Sequence, residues 1–166
     1  MSASATTTRE ITLRFLAEPS DVNFGGKVHG GAVMKWIDQA GYACAAGWAG
    51  CYCVTVYVGG IQFERPIHIG QLVEVHAQVV HTGSTSMHVA VNVSARDTTS
   101  DSAERTTHCL MVFVAVSETR KPVTVPSFVP VTAEERALSD YARRIMAMRK
   151  EIEVERKRFL AAQAGK

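Results

Sequence analysis

Residues 32–48 read AVMKWIDQAGYACAAGW, a helix-length segment that is apolar on nearly every side, with Lys35, Asp38 and Gln39 as its only strongly polar members. Such a helix should be buried, so the chain has to supply a layer wide enough to cover it. The four runs that follow, 53–63, 72–80, 87–95 and 107–116, are rich in β-branched residues and alternate as strands do. Their breaks, at 66–70, 83–86 and 97–104, are short or polar, and for the last strands this predicts an antiparallel meander. Ahead of the helix, Ile11, Leu13 and Phe15 alternate with Thr12 and Arg14 and give one more strand, ending near Pro19. The order β-α-β-β-β-β predicts an α+β domain in which a five-stranded antiparallel sheet curls around one long central helix.

Three of the five prolines then fall in PVTVPSFVP, 122–130, an extended stretch expected to end the sheet and carry the chain away. Thr132 and Glu135 form a capping-box pair, after which Leu138, Ile145, Ile152 and Phe159 recur every seven residues with Tyr141 and Met148 between them. This predicts a C-terminal amphipathic helix over 132–163, in which Tyr141 to Arg158 carry seven Lys/Arg against three Glu. The expected organisation is a flexible 1–8, a wrapped-helix domain over 9–120, a Pro-rich linker over 121–131 and the terminal helix.

Charge and composition exclude several roles. Lys+Arg 18 against Asp+Glu 16 gives +2, too small a balance for electrostatic binding of nucleic acid or an anionic membrane. No run approaches the ~20 apolar residues that cross a bilayer, and MSASATTT lacks the features of a secretion signal, so a cytoplasmic location is expected. Cys44, Cys51, Cys53 and Cys109 form no C-x-x-C pair, and the six histidines show no H-x-x-x-H or H-E-x-x-H spacing. No metal site is expected. The cysteines read as reduced small hydrophobes, and the histidines mostly as strand-surface or hydrogen-bonded residues.

Asp38 carries the strongest chemical signal. A carboxylate among Val33, Met34, Trp36, Ile37, Ala40 and Tyr42 must be paired, shifted in pKa or facing a cleft, and an ion pair with Lys35 would require a surface. The segment 21–31, DVNFGGKVHGG, places Gly30 and Gly31 at the helix start, where backbone N–H groups lack partners and point out of the positive end of the dipole. That is a place for an oxyanion. The spacing matches neither a phosphate-binding G-x-x-x-x-G-K-[ST] loop nor a dinucleotide G-x-G-x-x-G. Asp38 lies two turns beyond Gly31 on the same side of the helix, so a polarised carbonyl and a carboxylate can face one pocket. Asn23 reads either as the head of an Asx-turn or as a polar ligand for substrate or water.

With its strand order and buried helix, the stretch N23-F-G-G-K-V-H-G-G-A-V-M-K-W-I-D38 resembles the hotdog-fold acyl-CoA thioesterases, in the branch of broad-range bacterial enzymes and cytosolic acyl-CoA hydrolases. The likeness extends through F63-E-R-P-I-H-I-G-Q-L-V-E-V and G83-S-T-S-M87, covers roughly 9–120, and includes a C-terminal helix as a familiar appendage. The resemblance implies hydrolysis of acyl-CoA to a free carboxylic acid and CoA. It puts Asp38 at the general base or nucleophile, Asn23 at its partner asparagine, and Gly31 at the N–H that polarises the thioester carbonyl. Gly30, Arg65 and the Gly83, Ser84, Thr85, Ser86 turn fall in regions near CoA. It further implies a homo-oligomer, a dimer at minimum and a hexamer built as a trimer of dimers. Asn23 of one subunit would then complete the pocket holding Asp38 of another.

The chemistry is self-consistent: a thioester is already a reactive acyl donor, so a placed carboxylate and backbone donors can suffice without a G-x-S-x-G elbow, a metal or any cofactor beyond the substrate's own CoA. Three other readings compete, one of them a structural or interaction protein organised by the C-terminal heptads. A hotdog hydratase would need a paired Asp and His in a loop, a phrase the chain lacks. A non-catalytic acyl-CoA sensor usually carries a helix-turn-helix, for which the short N-terminus leaves no room.

Overall fold

Strand β1 (Glu10–Leu16), a short 3-10 turn (Pro19–Asp21), helix α1 (Gly30–Ala49), strands β2 (Cys53–Phe63), β3 (Gln71–Thr82), β4 (Ser86–Asp97) and β5 (Glu104–Ala115), and helix α2 (Ala133–Ala164) follow in chain order. This computed structural model describes residues 8–164, so the flexible stretch expected at 1–8 lies outside the described residues apart from Thr8. The five strands form one antiparallel sheet in the order β1-β3-β4-β5-β2. The last three strands are the expected meander. β2, although next to β3 in sequence, crosses to the far side of the sheet and pairs with β5. The two edges are therefore β1 and β2.

Alternation explains which face is inside. Val73, Val75, Ala77 and Val79 on β3 stand opposite Ala95, Val93, Val91 and Val89 on β4, and all eight are buried in one core with residues of α1. α1 packs against all five strands, which requires the sheet to wrap it, and register shifts at Val79/His81, Val93/Ser94 and twice in β2 supply the local bending. Phe15 of β1 stacks on Trp36 of α1 at 5.2 Å between ring centres. Gly41 lets the helix lie close to β5, because a Cβ there would stand 2.9 Å from Met111 Sδ and 3.0 Å from the Phe113 ring. The helix stops at Gly50, whose φ of +70° is a left-handed conformation natural to glycine.

α1 starts at Gly30 rather than Ala32, and it is not buried all round. Val33, Trp36, Ile37, Ala40, Gly41, Cys44 and Ala45 face the core, while Met34, Lys35, Asp38, Gln39 and Tyr42 face outward. A five-stranded sheet covers only part of a helix's circumference, and the remaining face is left open. The expectation of a buried helix holds for its sheet side and fails for the side that carries Asp38.

The chain divides between Phe128 and Val129 into two units. The proline stretch is extended as expected, yet its first half does not leave the sheet. Val123 N–H donates to Ala115 O, Val125 N–H to Ser84 O and Phe128 N–H to Thr82 Oγ1, and Val125 is buried. Those backbone donors satisfy acceptors at the β3–β4 turn and the end of β5, so residues 122–128 belong to the first unit. In the second unit the capping box is present: Thr132 N–H donates to Glu135 Oε2 at 3.0 Å and Glu135 N–H to Thr132 Oγ1 at 3.1 Å. Met148, Ile152 and Phe159 of the heptad stripe are exposed.

Candidate active site

Asp38 sits on the open face of α1, and its partner is not Lys35. Thr55 Oγ1 on β2 donates to Asp38 Oδ1 at 2.9 Å, fixing the carboxylate against the strand. The register of β2 against β5 slips between Thr55 and Tyr57, so this threonine stands at the start of a bulge that re-aims the strand. A second slip follows between Gly59 and Gln62, where Gly60 has φ +43°. Between α1 and this twice-bent strand lies an apolar pocket of about 490 Å³, lined by Met34, Ile37, Val58, Ile61 and Met111, with Asp38 as its only ionisable residue.

Asn23 and Gly30 lie elsewhere. They line a pocket of about 340 Å³ at the N-terminus of α1, together with Lys27, Phe63, Arg65 and Thr107. Asn23 Oδ1 accepts from Gly25 N–H at 2.9 Å and Lys27 N–H at 3.3 Å, the Asx-turn alternative, which leaves its amide NH2 as the group it can offer a ligand. Gly31 N–H, expected to be unpaired, donates to His29 Nδ1 at 2.8 Å, making His29 the N-cap of the helix. Seven residues separate Gly31 from Asp38, a rise of about 10 Å along the axis. Within one chain the helix start and the carboxylate therefore open onto two pockets rather than the single one expected.

Arg65 Nη1 pairs with Glu104 Oε2 at 2.6 Å on the surface, and its neighbourhood includes Lys27 Nζ at 3.3 Å from His68 Nδ1. The turn from Gly83 to Ser86 closes the opposite end of the β3–β4 hairpin: Gly83 N–H donates to Ser86 O at 2.9 Å, and Thr85 O accepts from Ala115 N–H. Arg65 lies at Glu104, the start of β5, and the turn at Ala115, its end, so the length of a strand separates them. Sequence reasoning missed Thr55 and His29, and Lys27 beside Arg65. The only sequence signals were the HGG phrase for His29 and a threonine in an alternating strand for Thr55.

The remaining titratable residues are largely structural. Burial raises the thiol of Cys44 to about 12, of Cys53 to about 11 and of Cys109 to about 12, so these stay protonated. His108 Nδ1 donates to Asn92 Oδ1 at 2.8 Å, and burial, assisted by Arg105, lowers its pKa. His88 is buried, being 1% exposed. Among the described residues no three His, Cys, Asp or Glu side chains cluster as a metal site, and no helix is long and apolar enough to cross a membrane.

Comparison with known proteins agrees with the fold. Residues 25–101 match the model of the thioesterase superfamily. The acyl-CoA thioester hydrolase YciA of Salmonella typhimurium is 34% identical over 120 residues, 70% of this chain and 90% of its own. An acyl-CoA hydrolase of Staphylococcus aureus, solved with butyryl-CoA and CoA, superposes with a TM-score of 0.85 at 26% identity, covering 93% of this chain and 94% of that one. Variants of that hydrolase with an asparagine, an aspartate or a threonine replaced by alanine have also been solved. A hexameric acyl-CoA thioesterase superposes with a TM-score of 0.83 at 31% identity, over 87% of this chain and 92% of that one. Sequence, strand order and the wrapped helix thus agree, and the chain belongs to the thioesterase superfamily, among its hotdog-fold acyl-CoA thioester hydrolases.

Proposed function

We propose that this protein hydrolyses acyl-CoA to a carboxylic acid and CoA, with Asp38 as the base or nucleophile at an acyl pocket. The observation that carries this reading is the Asp38–Thr55 hydrogen bond at the mouth of an apolar pocket. It supplies a held carboxylate beside space suited to a hydrocarbon chain. The three residues replaced in the S. aureus variants stand at the same intervals along that chain as Asn23, Asp38 and Thr55 do here. Asp38 either removes a proton from water attacking the thioester carbon or attacks that carbon itself to give an anhydride that water then hydrolyses, freeing the carboxylic acid and restoring Asp38. The oxyanion that develops is met by backbone N–H at the start of α1, and CoA leaves as the thiol once protonated.

Assembly supplies what one chain lacks. Met34, Tyr42, Val56, Val58 and Phe63 are exposed along the open face of α1 and the β2 edge, an apolar strip with unpaired strand backbone beside it. In a dimer joined through this strip, the pocket of one chain at Asn23 and the pocket of the other at Asp38 merge into one site, and three such dimers make the hexamer. The separation of Asn23 from Asp38 within one chain favours this arrangement. Arg65 and Lys27 contact CoA phosphates from one subunit, and the turn from Gly83 to Ser86 approaches pantetheine from a different one. The chemistry needs no further cofactor, and four unpaired cysteines suit a reducing cytoplasm.

The test is release of free thiol from a panel of acyl-CoAs of increasing chain length. Turnover of at least one member supports the reading. Tight acyl-CoA binding without turnover would favour the sensor.

A further inference from the structure

The Gly31 N–H is the donor that the proposed mechanism aims at the thioester oxygen, yet it is occupied. His29 Nδ1 accepts from it at 2.8 Å, which is where a carbonyl oxygen polarised by that N–H would have to sit. We propose that His29 is a substrate-displaced cap: its imidazole fills the oxyanion position while the site is empty and swings out when the acyl-CoA carbonyl arrives. This rests on the reading of the chain as an acyl-CoA hydrolase.

Three features make such a displacement feasible. The backbone of His29 is held on both sides, its N–H donating to Asp21 O at 2.6 Å and its C=O accepting from Ala32 at 2.9 Å and Val33 at 3.3 Å. The helix start therefore stays in place when the ring leaves. The side chain itself is exposed in the single chain, so nothing in its own subunit blocks rotation about its own bonds. Gly31 keeps the position permissive, because a Cβ there would stand 2.9 Å from His29 Nδ1 and push the ring away. The neighbouring Gly30 already lines the pocket shared with Asn23, so a departing imidazole opens the Gly31 N–H beside it.

A cap of this kind has opposite effects on the empty and the loaded protein. It satisfies an otherwise orphaned helix donor and keeps the oxyanion position formed in the absence of substrate. It also competes with the substrate for that donor, so binding must break one hydrogen bond to make another. Removing the acceptor therefore favours the loaded state.

Steady-state kinetics of His29→Ala and His29→Asn test this against CoA, which lacks the thioester carbonyl that would seat at Gly31. His29→Ala is expected to raise kcat/KM for acyl-CoA about three- to tenfold, the scale of one hydrogen bond, and to leave product inhibition by CoA unchanged. His29→Asn restores a side-chain acceptor at the cap and is expected to return kcat/KM toward the wild-type value. A fall in kcat/KM together with weaker CoA inhibition in His29→Ala would show that the ring only supports the loop, and an unchanged kcat/KM, or His29→Asn tracking His29→Ala, equally overturns the displaced cap. Those outcomes leave the hydrolase reading intact, whereas wild-type protein that turns over no acyl-CoA overturns the reading itself.

Discussion

Thr55 on β2 donates its hydroxyl to Asp38 on α1 across 2.9 Å, and through that bond the second strand orients the carboxylate of the central helix. The two residues are seventeen positions apart and meet because the loop after Gly50 returns the chain along the open side of the helix. A carboxylate that would otherwise sample several rotamers is thereby held over the apolar pocket.

Replacing Asp38 by Ala or Asn is expected to lower kcat by a factor on the order of 10² or more, the scale of losing an acid–base group. Because the side chain faces outward in the single chain, both variants should unfold at nearly the wild-type temperature. Near-normal turnover in either variant would make Asp38 a structural carboxylate.

Thr55→Val removes only the hydrogen bond and is expected to cost about tenfold in kcat, with Thr55→Ser retaining most of the activity. The measurement is kcat at saturating substrate, since a positioning role leaves KM nearly unchanged.

Arg65 forms a surface pair with Glu104, both more than half exposed, so Arg65→Ala should change stability by no more than about 1 kcal/mol. If the guanidinium contacts a CoA phosphate, KM rises about tenfold with kcat little changed. An unchanged KM with a collapsed kcat would place Arg65 in the chemistry instead.

The half-buried His108 predicts an acid-side loss of stability. Burial, with Arg105 assisting, lowers its folded-state pKa below the ordinary 6.5, so the unfolded chain takes up the proton first. The contribution is complete above the unfolded value, declines as pH falls from there toward the folded value, and levels off below it. Urea midpoints measured between about pH 7 and pH 5 should fall less steeply in His108→Gln than in the wild type.

The elements were largely legible from residue patterns, because alternation in 53–63 and the apolar run of α1 are local signals. What escaped was set by pairing between distant segments. β2 precedes β3 in the chain and pairs with β5, and nothing in its own residues encodes that crossing. Asp38 was recognisable as unusual, but its exposure depends on which part of α1 the sheet leaves open. Thr55 looks like any β-branched strand residue until the register brings it to Asp38. The prolines of 122–130 suggest a departing linker, whereas the N–H groups of Val123, Val125 and Phe128 bind back to the sheet and its β3–β4 turn.

The central claim is that a working site joins the Asn23 loop of one subunit to the Asp38 helix of another, and complementation tests it directly. Asn23→Ala and Asp38→Ala proteins, each inactive alone, are mixed under conditions that exchange subunits, with exchange verified by mass. Random pairing makes half the dimers mixed, each with one intact site of two, so about a quarter of wild-type activity should return. Mixtures that stay inactive after full exchange would contradict the shared site and place both residues in the site of a single chain.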